Sequence, residues 1–521
     1  MIKFTKGVSA TALMMALAAC SNNTDAFKNS DINSSNSVSA MSDTITITEA
    51  ELKGNPFVKP WETPYGVPPF DIIKDSHFMP AIKAGILELR KEIDEIVLNN
   101  DLPSFENTIV ALDLAGNQLS KVSSTFGNIT GTDTNDNLRS LQGKISPLLT
   151  REYNKIQFNE DLFARVKFVY ESRDSLNLDE QDARLLELTH RGFVRAGANL
   201  SLESKARIAK INEELSSLTT EFGQNILAST VGFKMEITNP EHLSGLSESF
   251  KASIKVGNEE RWVVGLNRSP FETFMTQSTN RELRKKLFDG YRLRGSSGDS
   301  NNGPIVIKIA QLRSERAQLM GYKSHAHYQL EPRMAKTPEA AVAFLLRVWN
   351  PGLERAKNEL TDIQSLIEAD GETYQAEGQD WWHYAERVRQ ARYEFDDAAL
   401  APYLELNAVR QGAFDVANKL FGVSFEEVET PVWNPVVTTY DVKDENGTHL
   451  GLFMMDMYAR DSKRGGAWMN TFRSASDIQG NRVRPLVTNN MNLTLPPAGE
   501  PTLMRFDEVV TLFHEFGHGL H

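Results

Sequence analysis

Near the end of the chain, the run "LFHEFGHGLH" sets two histidines and a glutamate at a spacing that could do chemistry. His514 and His518 are four residues apart, which on an α-helix places them on one face, about 6 Å apart along the axis. Two imidazoles so placed can converge on one metal ion. Glu515 projects from the flank of that face, where it could take a proton from a water that the ion activates. This is the arrangement of zinc-dependent peptide hydrolysis, with two histidine ligands and a glutamate general base. The five residues His514 to His518 also occur by chance on ordinary helices. Zinc needs a third protein ligand if one position is to stay open for water. His521 lies about 10.5 Å along the axis from His514, too far to share the ion comfortably, so a supporting place near the site is expected for it. The longer pattern HExxHxxGxxH is excluded, because it requires glycine where His521 stands.

The elements that must position these groups can be read around them. The site helix is expected over about 507–521, with Asp507 as N-cap and Val510, Phe513, Phe516 and Leu520 burying it. Val436 to Arg460 reads as two strands joined at the turn "DENG", and Arg484 to Leu495 as a third extended run. Between them "KRGGAW" reads as a loop near a sheet edge, with Arg464 a weak candidate contact for a peptide carboxylate against the plainer reading of a surface basic pair. Upstream the pattern is helical. Ile82, Ile86, Leu89, Ile93, Ile96 and Val97 form one stripe, and Ile208, Ile211, Leu215, Leu218 and Phe222 another. Thr337 and Pro338 open a further helix as N-cap and first residue. These apolar patterns are expected to be packing. "WWHY" at Trp381 to Tyr384 reads as core, and His325 and His327, two apart, are given no role.

The chain has 521 residues, 40% hydrophobic and 24% charged, with a net charge of −13. Its length favours two or more lobes, and its acidic balance leaves no general basic field for nucleic acid. The first twenty residues differ from the rest. Lys3 and Lys6 precede a short apolar run ending "LAAC", which resembles the lipobox of bacterial lipoproteins. Residues 1–19 are thus expected to be a signal peptide and Cys20, the only cysteine, a lipidation site. No internal disulfide or cysteine metal site is then available. Residues 20–48 read as a flexible tether, residues 49–521 as the body, and folded structure is expected from near Asn55. The expected place is the bacterial cell envelope, lipid-anchored and facing the periplasm, at the outer membrane by the residue after the cysteine.

Several stretches share one resemblance. "FHEFGHGLH", "TPYGVPPFDIIKDSHFMPAI", "LPSFENTIVALD", "GYKSHAHYQLEPRMAKTPE", "QDWWHYAERVR" and "DMYARDSKRGGAWM" are similar, in the same order, to the thimet oligopeptidase and oligopeptidase A family of zinc peptidases, and within it to the peptidyl-dipeptidase branch. The resemblance implies a mainly α, two-lobed helical metallopeptidase with a deep substrate channel and a small β region near the His-Glu-x-x-His helix. It implies one zinc ion per chain, held by His514 and His518, with Glu515 as catalytic base. Short peptides would be the substrates, losing C-terminal dipeptides, and the chain is expected to act as a monomer. Internal cleavage, or peptide binding without catalysis, are the alternatives. The family's glutamate ligand, with later tyrosine and histidine residues that hold substrate, falls on a segment these 521 residues lack. As they stand, they are therefore expected to be an incomplete and nearly inactive catalytic lobe.

Overall fold

The computed structural model describes residues 44–393, 400–478 and 480–521. The expected signal peptide, Cys20 and the tether up to residue 43 lie outside the described residues. Order begins earlier than Asn55. Ile45 packs against the first core, and Thr48 caps the one-turn helix Glu49–Leu52 in a reciprocal pair with Glu51.

Helices α1 (Asp75–Val97), α2 (Asn117–Thr132), α3 (Asp136–Gln157), α4 (Glu160–Glu171) and α5 (Glu180–Ala196) build that core. The stripe Ile82, Ile86, Leu89, Ile93 and Ile96 is buried, as its spacing predicts, and Val97 is half-buried. Gly85 lets α1 and α2 approach closely, since a Cβ there would lie 2.8 Å from the Leu119 Cα. The long helix α6 (Leu202–Gly232) buries Ile208, Ile211 and Leu215, and leaves Leu218 and Phe222 half-buried. A second core forms around the ribbon β1 (Met235–Ile237) and β2 (Trp262–Val264) with α7 (Arg268–Gln277) and α8 (Arg281–Arg292). Helix α9 (Gly303–Leu319) then lies along α6 and is followed by the short α10 (His325–Leu330).

Helix α11 (Pro338–Ala369) starts as expected, with Thr337 accepting from the Ala340 amide and Pro338 at the first position. Its apolar residues do not all pack. Val342, Phe344, Leu345, Leu346, Val348 and Trp349 are exposed, because burial is confined to Ile363 and Ile367, where the last turns meet Tyr384 of α12 (Trp381–Tyr393). Periodicity reports that a face is apolar, not that a partner covers it. No described helix is long and apolar enough to cross a membrane.

Helix α13 (Leu406–Phe421) leads into a five-stranded sheet made of β3 (Ser424–Glu427), β4 (Thr438–Lys443), β5 (His449–Tyr458), β6 (Trp468–Arg473) and β9 (Leu486–Leu493). The order is β3-β4-β5-β9-β6, and β5 and β9 are the parallel pair. The small ribbon β7 (Ser476–Ile478) and β8 (Asn481–Val483) lies between β6 and β9 in the chain. The "DENG" turn joins β4 to β5: Gly447 takes a positive φ of 79°, and the Asp444 side chain accepts from the amides of Asn446 and Thr448. Side chains alternate across the sheet. Phe453, Met455, Met457, Met491 and Leu493 face one way, towards α13 and α14 (Phe506–Leu520). Leu452, Met454 and Leu486 face the other, against Val67, Val437 and Phe472. Neither β3 nor β6 was legible in the sequence: "SFEE" is too short, and "WMNTFR" has no clean period.

Candidate active site

Helix α14 begins one residue before the expected start. Arg505, not Asp507, is the extended residue ahead of it, and the Glu508 carboxylate accepts from the Arg505 amide at 2.9 Å. Asp507 sits in the first turn, where its charge favours the helix dipole. Arg505 also ties the start to α7, its guanidinium 2.5 Å from Glu272.

The helix lies across β9 and β6. Leu512 and Phe516 are buried, each such burial worth about 1.5–3 kcal/mol. The Phe516 ring stands 5.5 Å from Phe425, 5.5 Å from Phe453 and 5.9 Å from Phe414. Val510, Phe513 and Leu520, expected to bury the helix, are exposed instead. They share a stripe with Phe506, turned away from the one that Leu512 and Phe516 press onto the sheet. Gly519 allows the close approach: a Cβ there would lie 3.0 Å from the Phe453 ring and 3.5 Å from the Asn489 amide oxygen.

This packing presents His514 and His518 to solvent on the same side of the helix. Their Nε2 atoms are 3.2 Å apart and their rings nearly perpendicular at 85°. Two ligands on a tetrahedral zinc at about 2.0–2.1 Å would be about 3.3–3.4 Å apart, so the pair is already at close to the separation the ion requires. The donor set fits zinc at two positions. Among the described residues no third His, Cys, Asp or Glu joins them. Glu515, between the two, is 8% exposed and makes no hydrogen bond or ion pair among the described residues. His521 is exposed at the helix end, its backbone amide bonded to the Gly517 carbonyl.

Strand β6 forms the sheet edge beneath the helix, and its Asn470 is exposed. One point of that edge is covered: the Thr471 carbonyl accepts from the Asn128 amide of α2 at 3.0 Å. Arg464 is exposed in the loop before β6, stacked 4.1 Å over the Trp468 ring. Its backbone amide donates to the Gly131 carbonyl, and its carbonyl accepts from Asn492.

Residues the sequence did not single out fix this loop. Asp456, fully buried at the end of β5, accepts from both Arg460 amino groups at 2.8 and 2.6 Å, from Lys463 at 2.8 Å and from the Trp433 indole at 3.0 Å. Ser462 reaches Asp133, just past α2, at 2.6 Å. A lone aspartate within the apolar run "LFMMDMY" was the available signal.

The other singled-out residues are elsewhere. His327 contacts Ser324 and Glu339, His325 is pulled down to about 4 by burial beside Arg316 and Arg313, and Tyr384 is core. A cavity of about 440 Å³ opens between α8 and α12, but none of its lining residues belongs to α14. Its arginines are committed, Arg281 and Arg284 to Asp380 and Arg387 to Asp370. The histidine turn, with free polar groups at a sheet edge, is therefore the stronger candidate.

Comparison with known proteins gives the family of the chain. The model of peptidase family M3 matches residues 274–521. The dipeptidyl carboxypeptidase of Escherichia coli (strain K12) is 38% identical over 475 residues, covering 90% of this chain and 70% of that protein. The dipeptidyl carboxypeptidase of Salmonella typhimurium (strain LT2) is 38% identical over 478 residues, with the same coverage. Oligopeptidase A of the same Salmonella strain is 29% identical over 473 residues, covering 89% of this chain and 70% of that protein.

Proposed function

The chain belongs to peptidase family M3 and is a metallopeptidase by that descent, and from this premise we propose that it releases C-terminal dipeptides from oligopeptides. The observation that carries the reading to this chain's own residues is the His514–His518 pair. Two imidazole nitrogens stand 3.2 Å apart on the open side of a helix whose other side is packed on the sheet. His514 and His518 would hold one zinc ion as two of its protein ligands. When bound, zinc supplies a Lewis acid for the scissile carbonyl and for the attacking water. Glu515 accepts the proton of that water on its carboxylate and delivers it to the departing amine nitrogen. Its low exposure limits competing contact with bulk solvent. The β6 edge offers backbone groups to an extended peptide, which supports binding that tolerates varied side chains.

Peptide mapping of products tests the reading. The native protein, extracted from its cell envelope and loaded with zinc, is expected to shorten an unblocked oligopeptide from its C-terminus by two residues at a time. Internal fragments would transfer it to the oligopeptidase reading, which the oligopeptidase A relatives favour as the second choice. Peptide binding indifferent to chelator and to Glu515→Gln, without cleavage, would make it a binding protein.

We also propose that Cys20 carries the lipid that holds the protein to the envelope, facing the periplasm. Labelling with a radioactive fatty acid is expected to mark the wild type and to vanish in Cys20→Ala. Equal labelling of both would remove the anchor from the account.

A further inference from the structure

The seam between α9 and α10 gathers buried hydrogen-bond donors without acceptors. Arg313 and Arg316 are three residues apart on α9, and His325 and Gln329 four apart on α10, so each pair shares a helical face. Arg316 is 2% exposed. Its one hydrogen bond goes to a neutral group, the Asn212 amide oxygen at 2.9 Å, and its Nε and second amino group have no partner. Arg313 Nε, His325 Nδ1 and Gln329 Nε2 are buried and unpartnered as well. Asn212 is itself fixed, since its amide donates to the Asn154 side chain at 2.8 Å. The nearby carboxylates are engaged elsewhere: Glu315 with Arg207, Glu331 with Arg195 and Glu339 with His327. Tyr328 closes the seam, its ring centroid 5.8 Å from the Arg316 guanidinium and 6.2 Å from the His325 ring.

A buried guanidinium with two N–H groups unmatched and no carboxylate beside it is costly, because it has lost its hydration without gaining a counter-charge. Buried Arg195 and Arg284 each find a carboxylate, Glu331 and Asp380, and buried Arg165 finds two backbone carbonyls and the Asn107 amide oxygen. His325, with burial and the two arginines depressing its pKa, stays neutral near pH 7 and adds no second charge to repel. Two arginines beside a neutral imidazole, with the Gln329 amide on the same face of α10 as His325, leave unpaired N–H groups in the seam, which suits a single small negative charge.

We propose that the α9–α10 seam is a binding site for a small inorganic anion, held chiefly by Arg316 and Arg313 with Gln329 beside them. The site is distinct from the histidine turn, and its occupation stabilises the helical body without taking part in hydrolysis. Chloride and phosphate share the chemistry, and the experiment separates them.

The test is thermal unfolding of the whole protein at constant ionic strength, with sodium gluconate replaced stepwise by sodium chloride or sodium phosphate. A saturable rise of roughly 3–6 °C is expected with at least one of the small anions. A response to chloride alone assigns a monatomic anion, and a response to phosphate assigns an oxyanion. Arg316→Met is expected to abolish the anion-dependent rise and, in gluconate, to melt no lower than the wild type, since an uncompensated charge has been removed. A purely structural arginine would give a lower midpoint in every salt. Should Arg316→Met not fold, Arg313→Gln is expected to raise the half-saturating anion concentration about tenfold or more. Identical wild-type midpoints in gluconate, chloride and phosphate would overturn the proposal, as would a variant responding like the wild type.

Discussion

The two faces of the five-stranded sheet hold their cargo by different means. On one, Asp456 gathers Arg460, Lys463 and Trp433 and, through Ser462 and Asp133, ties the loop before β6 to the end of α2. Burial raises the Asp456 carboxyl, but Arg460 and Lys463 overcome that and keep it below the usual carboxylate range. Burial likewise pulls the Lys463 ammonium down to about 8 against the attraction of Asp456. On the other face, α14 is attached by Leu512, Phe516 and the close approach at Gly519, and its attachment to the sheet is apolar. The charged groups of the first face are paired with one another. The imidazoles of His514 and His518 on α14 touch only each other and face solvent, where a metal ion and a substrate could reach them. The contrast is one of division of labour: the clamp should matter to stability, the histidine turn to chemistry.

Glu515→Gln tests the chemical half and should give the largest effect. The amide cannot accept a proton, so kcat is expected to fall roughly 10²–10⁴-fold. Zinc content and the unfolding midpoint should stay as in the wild type, because Glu515 makes no ion pair among the described residues. His518→Ala should instead lose the zinc, read by metal analysis after gel filtration. If Glu515→Gln lost stability while keeping its rate, the division would be drawn in the wrong place.

Asp456→Ala tests the clamp. It leaves Arg460 and Lys463 beside each other in a buried site, with Asp133, 3.5 Å from Arg460, as the remaining carboxylate, at a cost of about 3–5 kcal/mol. Urea unfolding should show it as a lower midpoint at unchanged slope. A loss below about 1 kcal/mol would mean that water enters and replaces the aspartate, and the clamp would not be what fixes the loop. Gly519→Ala lies between the two halves. Its Cβ meets the Phe453 ring at 3.0 Å, so α14 must shift or the ring must turn, costing about 1–3 kcal/mol. Because the shift displaces the turn carrying His518, zinc affinity should drop with stability, whereas Asp456→Ala should spare it.

The sequence made the helix and the histidine spacing of α14 readable and its surroundings much less so. His514, Glu515 and His518 follow a spacing that only helix geometry has to interpret, and the helix is there. Of the residues expected to bury α14, Phe516 does so and Val510, Phe513 and Leu520 do not, because both stripes of the helix are apolar and nothing local says which one faces Phe453. The same limit applies to α11, where exposed Phe344 and Trp349 read no differently from buried Ile363 and Ile367. The "DENG" hairpin was legible from Asp444 and Gly447, whose conformations are set within four residues. The Asp456 clamp was not, since Asp133 stands more than three hundred positions before Lys463. Pairings of that range are decided by the fold, not by a local pattern.

Arg464 offers the smallest and most discriminating test, because it belongs by position to the clamp's loop and by exposure to the open side. Its guanidinium over Trp468 contributes about 0.5–1 kcal/mol as an exposed cation–π pair, so Arg464→Ala should barely lower the unfolding midpoint. If it also receives the carboxylate of a bound peptide, KM should rise for a free-acid substrate and stay unchanged for the same peptide amidated at its C-terminus. Arg464→Lys would then recover part of the loss, as a charge on the same loop without the planar fork. An equal change for both peptides would place Arg464 with the clamp, shaping the loop and not reading the substrate.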